Sequence, residues 1–123
     1  MSHNVLVLED ETDLREVIVD LFKASGFNKV KEAGSLAEAR NILLSPEEVD
    51  IYISDLKLPD GSGKDLVEEI KSLGRLHKIT LFFSGFSTYT KEELENLGVS
   101  GVLNKPFDLE ILIQTVREKL ALI

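Results

Sequence analysis

Five polar residues of this sequence lie at the ends of short apolar runs, and together their side chains could form a reactive site. They are a neighbouring acidic pair, a later aspartate, a serine and a lysine: Glu9, Asp10, Asp55, Ser84 and Lys105. Three carboxylates that converge on one point repel one another, and a hard divalent cation relieves that repulsion. Because Mg²⁺ binds a few carboxylates together with waters and phosphate oxygens, the three acids predict a Mg²⁺ site.

The other residue types predict what such a site would do. The carboxylate of Asp55 can act as a nucleophile that accepts a phosphoryl group as an aspartyl-phosphate. The compact cation of Lys105 is suited to pairing with a phosphoryl group, and the Ser84 hydroxyl can donate a hydrogen bond to one of its oxygens. The metal and Lys105 would offset the charge that develops during transfer. Lys105 is the only basic partner that the sequence predicts for the three acids.

Each of these residues also has an ordinary interpretation. Glu9 and Asp10 could be acids that favour a helix N-terminus, and Asp55 could simply begin a turn. Ser84 before a glycine is often a turn, and Lys105 before a proline is often a solvated side chain. The functional interpretation therefore depends on the ordered set: an acidic pair, an aspartate, a serine and a lysine before proline, each at the end of a different predicted strand.

The elements that must position these residues alternate regularly along the chain. Apolar runs predict five strands, at 4–8, 29–33, 49–53, 79–83 and 101–104. Capping-box patterns predict helices capped by Asp13 and by Ser35, Thr90 caps a short fourth helix, and the last helix runs from Asp108. The strand–helix order predicts a doubly wound, five-stranded parallel sheet with helices on both faces, a three-layer α/β domain over residues 1–123. The carboxyl ends of parallel strands meet at one edge, where such sheets bind ligands.

Composition excludes several classes of function. The chain has 123 residues, 43% of them hydrophobic and 29% charged, which is ordinary for a globular domain. A net charge of −8 argues against direct binding of nucleic acid, which needs clustered lysine and arginine. No apolar run is long enough to span a membrane, and no signal peptide is evident. The absence of cysteine fits a reducing compartment, and we expect a cytoplasmic protein.

The ordered set resembles the receiver domain of two-component response regulators, and the resemblance covers essentially the whole chain. Glu9 and Asp10 resemble the family's acidic pair, with Asp10 favoured over Glu9 as the direct metal ligand, and Asp55 resembles the phosphoacceptor. The resemblance implies that the backbone carbonyl of Lys57 also binds Mg²⁺, that Ser84 follows the phosphoryl group, and that Lys105 is the family's lysine. It also implies the strand order 2-1-3-4-5 of a flavodoxin-like fold.

The resemblance further implies partners and a switch. The phosphoryl donor would be a histidine kinase or a histidine phosphotransfer protein, and the domain would catalyse only its own phosphorylation and dephosphorylation. The fourth helix, fifth strand and fifth helix would change on phosphorylation and dock an effector or a second copy. In the family a Tyr or Phe three residues before the lysine swings inward as the hydroxyl residue moves, whereas this chain has Val102. Lys57 and Phe86 resemble the two positions that border the phosphoryl group and tune its loss.

Two other functions fit parts of the pattern. A small Mg²⁺-dependent phosphatase would also form an aspartyl-phosphate, but such enzymes commonly carry an acid two residues after the nucleophile, where this chain has Lys57. A flavodoxin-like electron carrier can share the strand order. Its first loop would have to hold a flavin phosphate, and the acids at Glu9 and Asp10 would repel that phosphate without a metal.

Overall fold

The computed structural model of the protein describes residues 3–75, 79–84, 90–104 and 108–122. Within these residues the main sheet has five strands: β1 (Asn4–Leu8), β2 (Lys29–Ala33), β3 (Ile51–Asp55), β4 (Ile79–Ser84) and β5 (Gly101–Asn104). The helices are α1 (Thr12–Ala24), α2 (Leu36–Leu43), α3 (Gly63–Ser72), α4 (Lys91–Asn96) and α5 (Leu109–Ala121). None of the described helices is both long enough and apolar enough to cross a membrane.

The five strands pair in parallel in the order β2-β1-β3-β4-β5. This is the predicted order, and it confirms the doubly wound architecture. β2 is the most polar strand and lies at an edge of the sheet, where a strand has only one neighbouring strand. Of its residues only Ala33 is buried. β3 lies at the centre, and all five of its residues are buried.

Apolar residues alternate between the two faces of the sheet, so the core has two halves. On β1, Val5 and Val7 join a cluster with apolar residues of α1 and α5, whereas Leu6 and Leu8 join a cluster with those of α2, α3 and α4. Successive side chains of a strand point to opposite faces, so a strand covered on both sides is a continuous apolar run. The result is the three-layer sandwich that the sequence predicted.

Three elements differ in their bounds from the sequence predictions. The third strand runs from Ile51 to Asp55 rather than over 49–53, because Asp55 still pairs in register with Phe83 of β4. The fourth strand ends at Ser84 rather than at Phe83. The prediction that Asp13 caps the first helix was wrong. α1 begins at Thr12, and its cap position is Glu11, which makes no side-chain capping hydrogen bond. The predicted caps at Ser35 and Thr90 are confirmed, since each side chain accepts a backbone N–H of its own helix.

A short hairpin follows the central strand. Lys57–Leu58 pairs antiparallel with Gly61–Ser62, and α3 starts immediately afterwards at Gly63. Gly63 N–H donates to the carbonyl oxygen of Leu56 at 2.9 Å. The start of α3 is thereby held directly against the carboxyl end of β3.

Candidate functional site

Three carboxylates meet at the carboxyl edge of the sheet. Glu9, Asp10 and Asp55 each offer one carboxylate oxygen, and these oxygens all lie within 4.8 Å of one another. Glu9 and Asp55 are buried, with relative exposures of 1% and 8%, whereas Asp10 is exposed. The predicted convergence of the three acids is therefore present, and it brings together two segments that are far apart along the chain.

The acidic pair is held by contacts with its own helix and with β2. Glu9 N–H donates to the carbonyl oxygen of Ala33 at 3.1 Å, which extends the pairing of β1 with β2 by one residue. Glu9 Oε1 accepts the N–H of Glu11 at 3.3 Å. These contacts fix the direction in which the chain leaves β1, and hence the place of both acids.

A basic residue that the sequence did not indicate, Arg15, lies beside the acidic pair. Its Nη1 donates to the carbonyl oxygen of Glu9 at 2.8 Å, and its Nε donates to Glu32 Oε1 at 3.1 Å. Arg15 is therefore a cation beside the acids that the sequence did not predict. An arginine one helical turn after Glu11 was the available signal, but nothing in the sequence indicated that it reaches back to a main-chain oxygen.

Asp55 is oriented by the segment that follows it. The N–H of Lys57 donates to Asp55 Oδ1 at 3.1 Å, and Leu56 N–H donates to the carbonyl oxygen of Phe83 at 3.3 Å. The Ser54 hydroxyl donates to the Asp55 carbonyl oxygen at 2.7 Å. The carboxylate is thus held at the end of a central strand, with one oxygen accepting a backbone hydrogen bond.

The donor set fits a hard divalent cation. Buried carboxylates lose hydration and repel one another, and both effects disfavour the charged forms unless a positive charge compensates them. Carboxylate and carbonyl oxygens are the ligands that Mg²⁺ takes, usually from one or two acids with several waters retained. Glu9, Asp10 and Asp55 could therefore hold Mg²⁺, and the Lys57 carbonyl remains a predicted further ligand.

Two of the remaining predicted residues, Ser84 and Val102, lie on β4 and β5. Ser84 is the last residue of β4, and its backbone pairs with Asn104 of β5. Val102 pairs with Phe82, is half-buried and packs against the core cluster under α2, α3 and α4. Lys105 follows Asn104 directly, but Lys105 and Phe86 lie outside the described residues.

Asp60 is another residue whose place the sequence did not indicate. Its two carboxylate oxygens accept the N–H groups of Leu36 and Ala37 at 3.1 and 3.2 Å. These hydrogen bonds, that of Leu36 first, lower the pKa of Asp60 from its ordinary value. The sequence showed only a Pro-Asp-Gly turn, and a turn signal says nothing about a contact with another helix.

Comparisons with known proteins show which family the chain matches. The family model of the response regulator receiver domain matches residues 5–117. The probable transcriptional regulator ycf29 of Porphyra purpurea is 33% identical over 119 residues, which cover 95% of this chain and 56% of that protein. The chemotaxis protein CheY1 of Helicobacter pylori is 27% identical over 121 residues, covering 97% of this chain and 94% of that one.

A solved structure shows the same fold. The chemotaxis response regulator CheY4 of Vibrio cholerae superimposes with a TM-score of 0.84 at 24% identity, over 97% of this chain and 99% of that one. By contrast, the chain spans about half the length, or less, of the first curated relatives that it matches.

The match to the family model covers nearly every described element, from β1 into α5. It favours the signalling interpretation over the phosphatase and electron-carrier alternatives, each of which fits only part of the sequence pattern. The chain belongs to the response regulator receiver domain family, the signalling domains of two-component systems.

Proposed function

We propose that this domain accepts a phosphoryl group on Asp55 from a phosphohistidine donor protein in a Mg²⁺-dependent reaction. The observation that supports the proposal best is the convergence of Glu9, Asp10 and Asp55 at the carboxyl end of the central strand. Asp55 is buried there, at the carboxyl ends of the parallel strands, where such sheets bind ligands.

The transfer itself needs one bond to form and one to break. An oxygen of the Asp55 carboxylate attacks the phosphorus atom, and the bond from phosphorus to the donor's imidazole nitrogen breaks, with the electron pair staying on that nitrogen. Lys57 N–H, which donates to Oδ1, orients the carboxylate for the attack. When bound, Mg²⁺ supplies positive charge to the phosphoryl oxygens. In this proposal, the Ser84 hydroxyl and the Lys105 ammonium group stabilise the same oxygens.

The test is phosphorylation by a small acyl-phosphate donor in the presence of Mg²⁺, followed by intact mass spectrometry. We expect the wild type to gain one acid-stable, base-labile phosphoryl group and Asp55→Ala to gain none. Asp20→Ala, which removes an exposed aspartate in the middle of α1, is the matched control and should be phosphorylated normally. Wild-type levels of phosphorylation in Asp55→Ala would refute the assignment.

The output surface of the proposal is formed by α4, β5 and α5. Two large apolar side chains are exposed at the last helix: Ile111 within α5 at 48%, and Leu122 directly after it at 82%. Exposed apolar surface on a small domain often marks an interaction site, so an effector or a second copy would dock on this side after phosphorylation. Val102 replaces the family's usual aromatic residue at this surface, so the response to phosphorylation would rest on α4 and the strand end rather than on an inward-turning ring.

Sedimentation with and without beryllium fluoride, a phosphoryl analogue, tests the homodimer version. A shift to the dimer in the adduct, weakened by Ile111→Ser, is the expected result. An unchanged profile would remove the homodimer and leave an effector as the partner.

A further inference from the structure

Asp60 lies at the tip of the segment that joins β3 to α3, but its carboxylate contacts a different helix. The oxygens accept the N–H groups of Leu36 and Ala37, which belong to the first turn of α2. Such N–H groups have no partner inside their helix, and a negative charge is favoured beside them. The carboxylate therefore ties the β3–α3 segment to the start of α2.

The turn that leads from β2 into α2 is also tied to the acidic pair. Glu9 N–H donates to the carbonyl oxygen of Ala33, at the end of β2. Arg15, which donates to the Glu9 carbonyl oxygen, lies so close to Gly34 that a Cβ there would be 2.7 Å from Nη1. The turn of residues 33–37 thus contacts both segments that carry the predicted metal ligands, and we call it the β2–α2 turn.

Asp60 also lies in the hairpin that carries the main chain next to the predicted phosphoacceptor. Lys57 and Asp60 belong to the same hairpin, with Lys57 paired to Ser62 and Asp60 in the turn between its two short strands. Lys57 N–H is the group that donates to Asp55 Oδ1. One end of this hairpin is held by β3 and by the start of α3, and its tip is held by the Asp60 carboxylate.

We propose that Asp60 is a positioning residue for the Mg²⁺ site. By holding the hairpin tip against the β2–α2 turn, it sets the distance between the Lys57 backbone and the acidic pair, Glu9 and Asp10. The inference rests on the proposed function, because the Mg²⁺ site is part of that proposal. Mg²⁺ requires near-ideal octahedral geometry, whereas Ca²⁺ accepts a variable one. Loosening the hairpin should therefore weaken Mg²⁺ binding more than Ca²⁺ binding.

The experiment compares Asp60→Ala and Asp60→Asn with Ser35→Ala, by calorimetric titration of Mg²⁺ and of Ca²⁺. Ser35 Oγ accepts Glu38 N–H at 3.2 Å at the same end of α2, so its removal weakens that helix and leaves the hairpin tied. We expect Asp60→Ala to bind Mg²⁺ about tenfold more weakly, the low end of the loss usual for residues behind a metal ligand. Its loss of Ca²⁺ affinity should be smaller, and Asp60→Asn should be intermediate. Ser35→Ala should lower the melting temperature but neither affinity.

A measurement without metal tests the tie itself. Hydrogen exchange of the Lys57 amide should be faster in metal-free Asp60→Ala than in wild type, and unchanged in Ser35→Ala. Mg²⁺ affinity that is the same in Asp60→Ala and wild type would overturn this inference alone, as would an equal loss in Ser35→Ala. A wild type that binds no Mg²⁺ would overturn the proposed metal site and this inference with it.

Discussion

Gly63 begins α3 directly against the predicted phosphoacceptor, so an alanine there should both destabilise the domain and disturb the site. A Cβ at Gly63 would lie 2.6 Å from the Asp55 carbonyl oxygen, 3.1 Å from Phe82 Cε1 and 3.2 Å from Ser54 Oγ. Favourable contacts between such atoms are about 3.5–4.0 Å. Because the closest atom belongs to the main chain of β3, either the strand end or the start of α3 has to move.

The magnitude is the difference between two terms. Overpacking a core position costs about 1–3 kcal/mol. Gly63 does not have a positive φ, so alanine also gains about 0.4–1 kcal/mol by restricting the unfolded chain. We therefore expect Gly63→Ala to lower the free energy of unfolding by about 1–2 kcal/mol, against a total of about 5–15 kcal/mol for a typical domain.

Gly74→Ala is the matched control, because it should cost a similar amount far from the site. Gly74 has φ +71°, and nothing lies within 4 Å of a Cβ there, so the cost is only that of the left-handed backbone, about 1–2 kcal/mol. Urea denaturation should show comparable losses in both variants. Phosphorylation by an acyl-phosphate with Mg²⁺ should be slow only in Gly63→Ala. The reasoning is refuted if Gly63→Ala is as stable as the wild type, or if the two variants are phosphorylated at the same rate.

Three further results are expected. The thermal stabilisation produced by Mg²⁺ should be smaller in Asp10→Asn than in wild type, because a predicted ligand is lost; equal shifts in the two proteins would count against the metal site. Because its folded pKa is lowered, Asp60 stabilises the domain fully above its ordinary pKa of 3.8, and this contribution is lost as pH falls through the lower folded pKa. The difference in unfolding free energy between wild type and Asp60→Asn should therefore shrink in urea titrations carried from pH 6 to pH 3, and a difference that grows would contradict the sign. Finally, Lys57 is exposed and Phe86 is apolar, and neither residue type carries an acid or amide that could orient an attacking water, so we expect the aspartyl-phosphate to be long-lived. Lys57→Asn with Phe86→Glu should speed its first-order decay with Mg²⁺ after the donor is removed, and decay at the wild-type rate would show that these side chains do not guard the phosphoryl group.

Local sequence signals were sufficient for the elements and for the edge where the acids lie. Strand β1 was predicted with its observed bounds, because a strand covered on both faces is a continuous apolar run and the acidic pair ends it sharply. The caps at Ser35 and Thr90 were also predictable, since a capping hydrogen bond joins residues three apart. Asp13 shows the limit of that signal, because the same pattern was compatible with a helix that begins one residue earlier, at Thr12.

The sequence alone determined the alternation of strands and helices, the order in which polar residues end the strands, and hence the meeting of Glu9, Asp10 and Asp55. Apolar periodicity and the shared direction of parallel strands are enough for that result. Only the tertiary structure decided that Arg15 reaches the Glu9 carbonyl oxygen, that a Cβ at Gly63 would meet the Asp55 carbonyl oxygen, and that Asp60 holds the start of α2. Unlike a cap, which joins residues three apart within one helix end, each of these contacts joins separate segments of the chain and ends on a backbone group. Almost every residue type offers the same backbone N–H and C=O, so the side-chain pattern does not indicate which group of another segment is met.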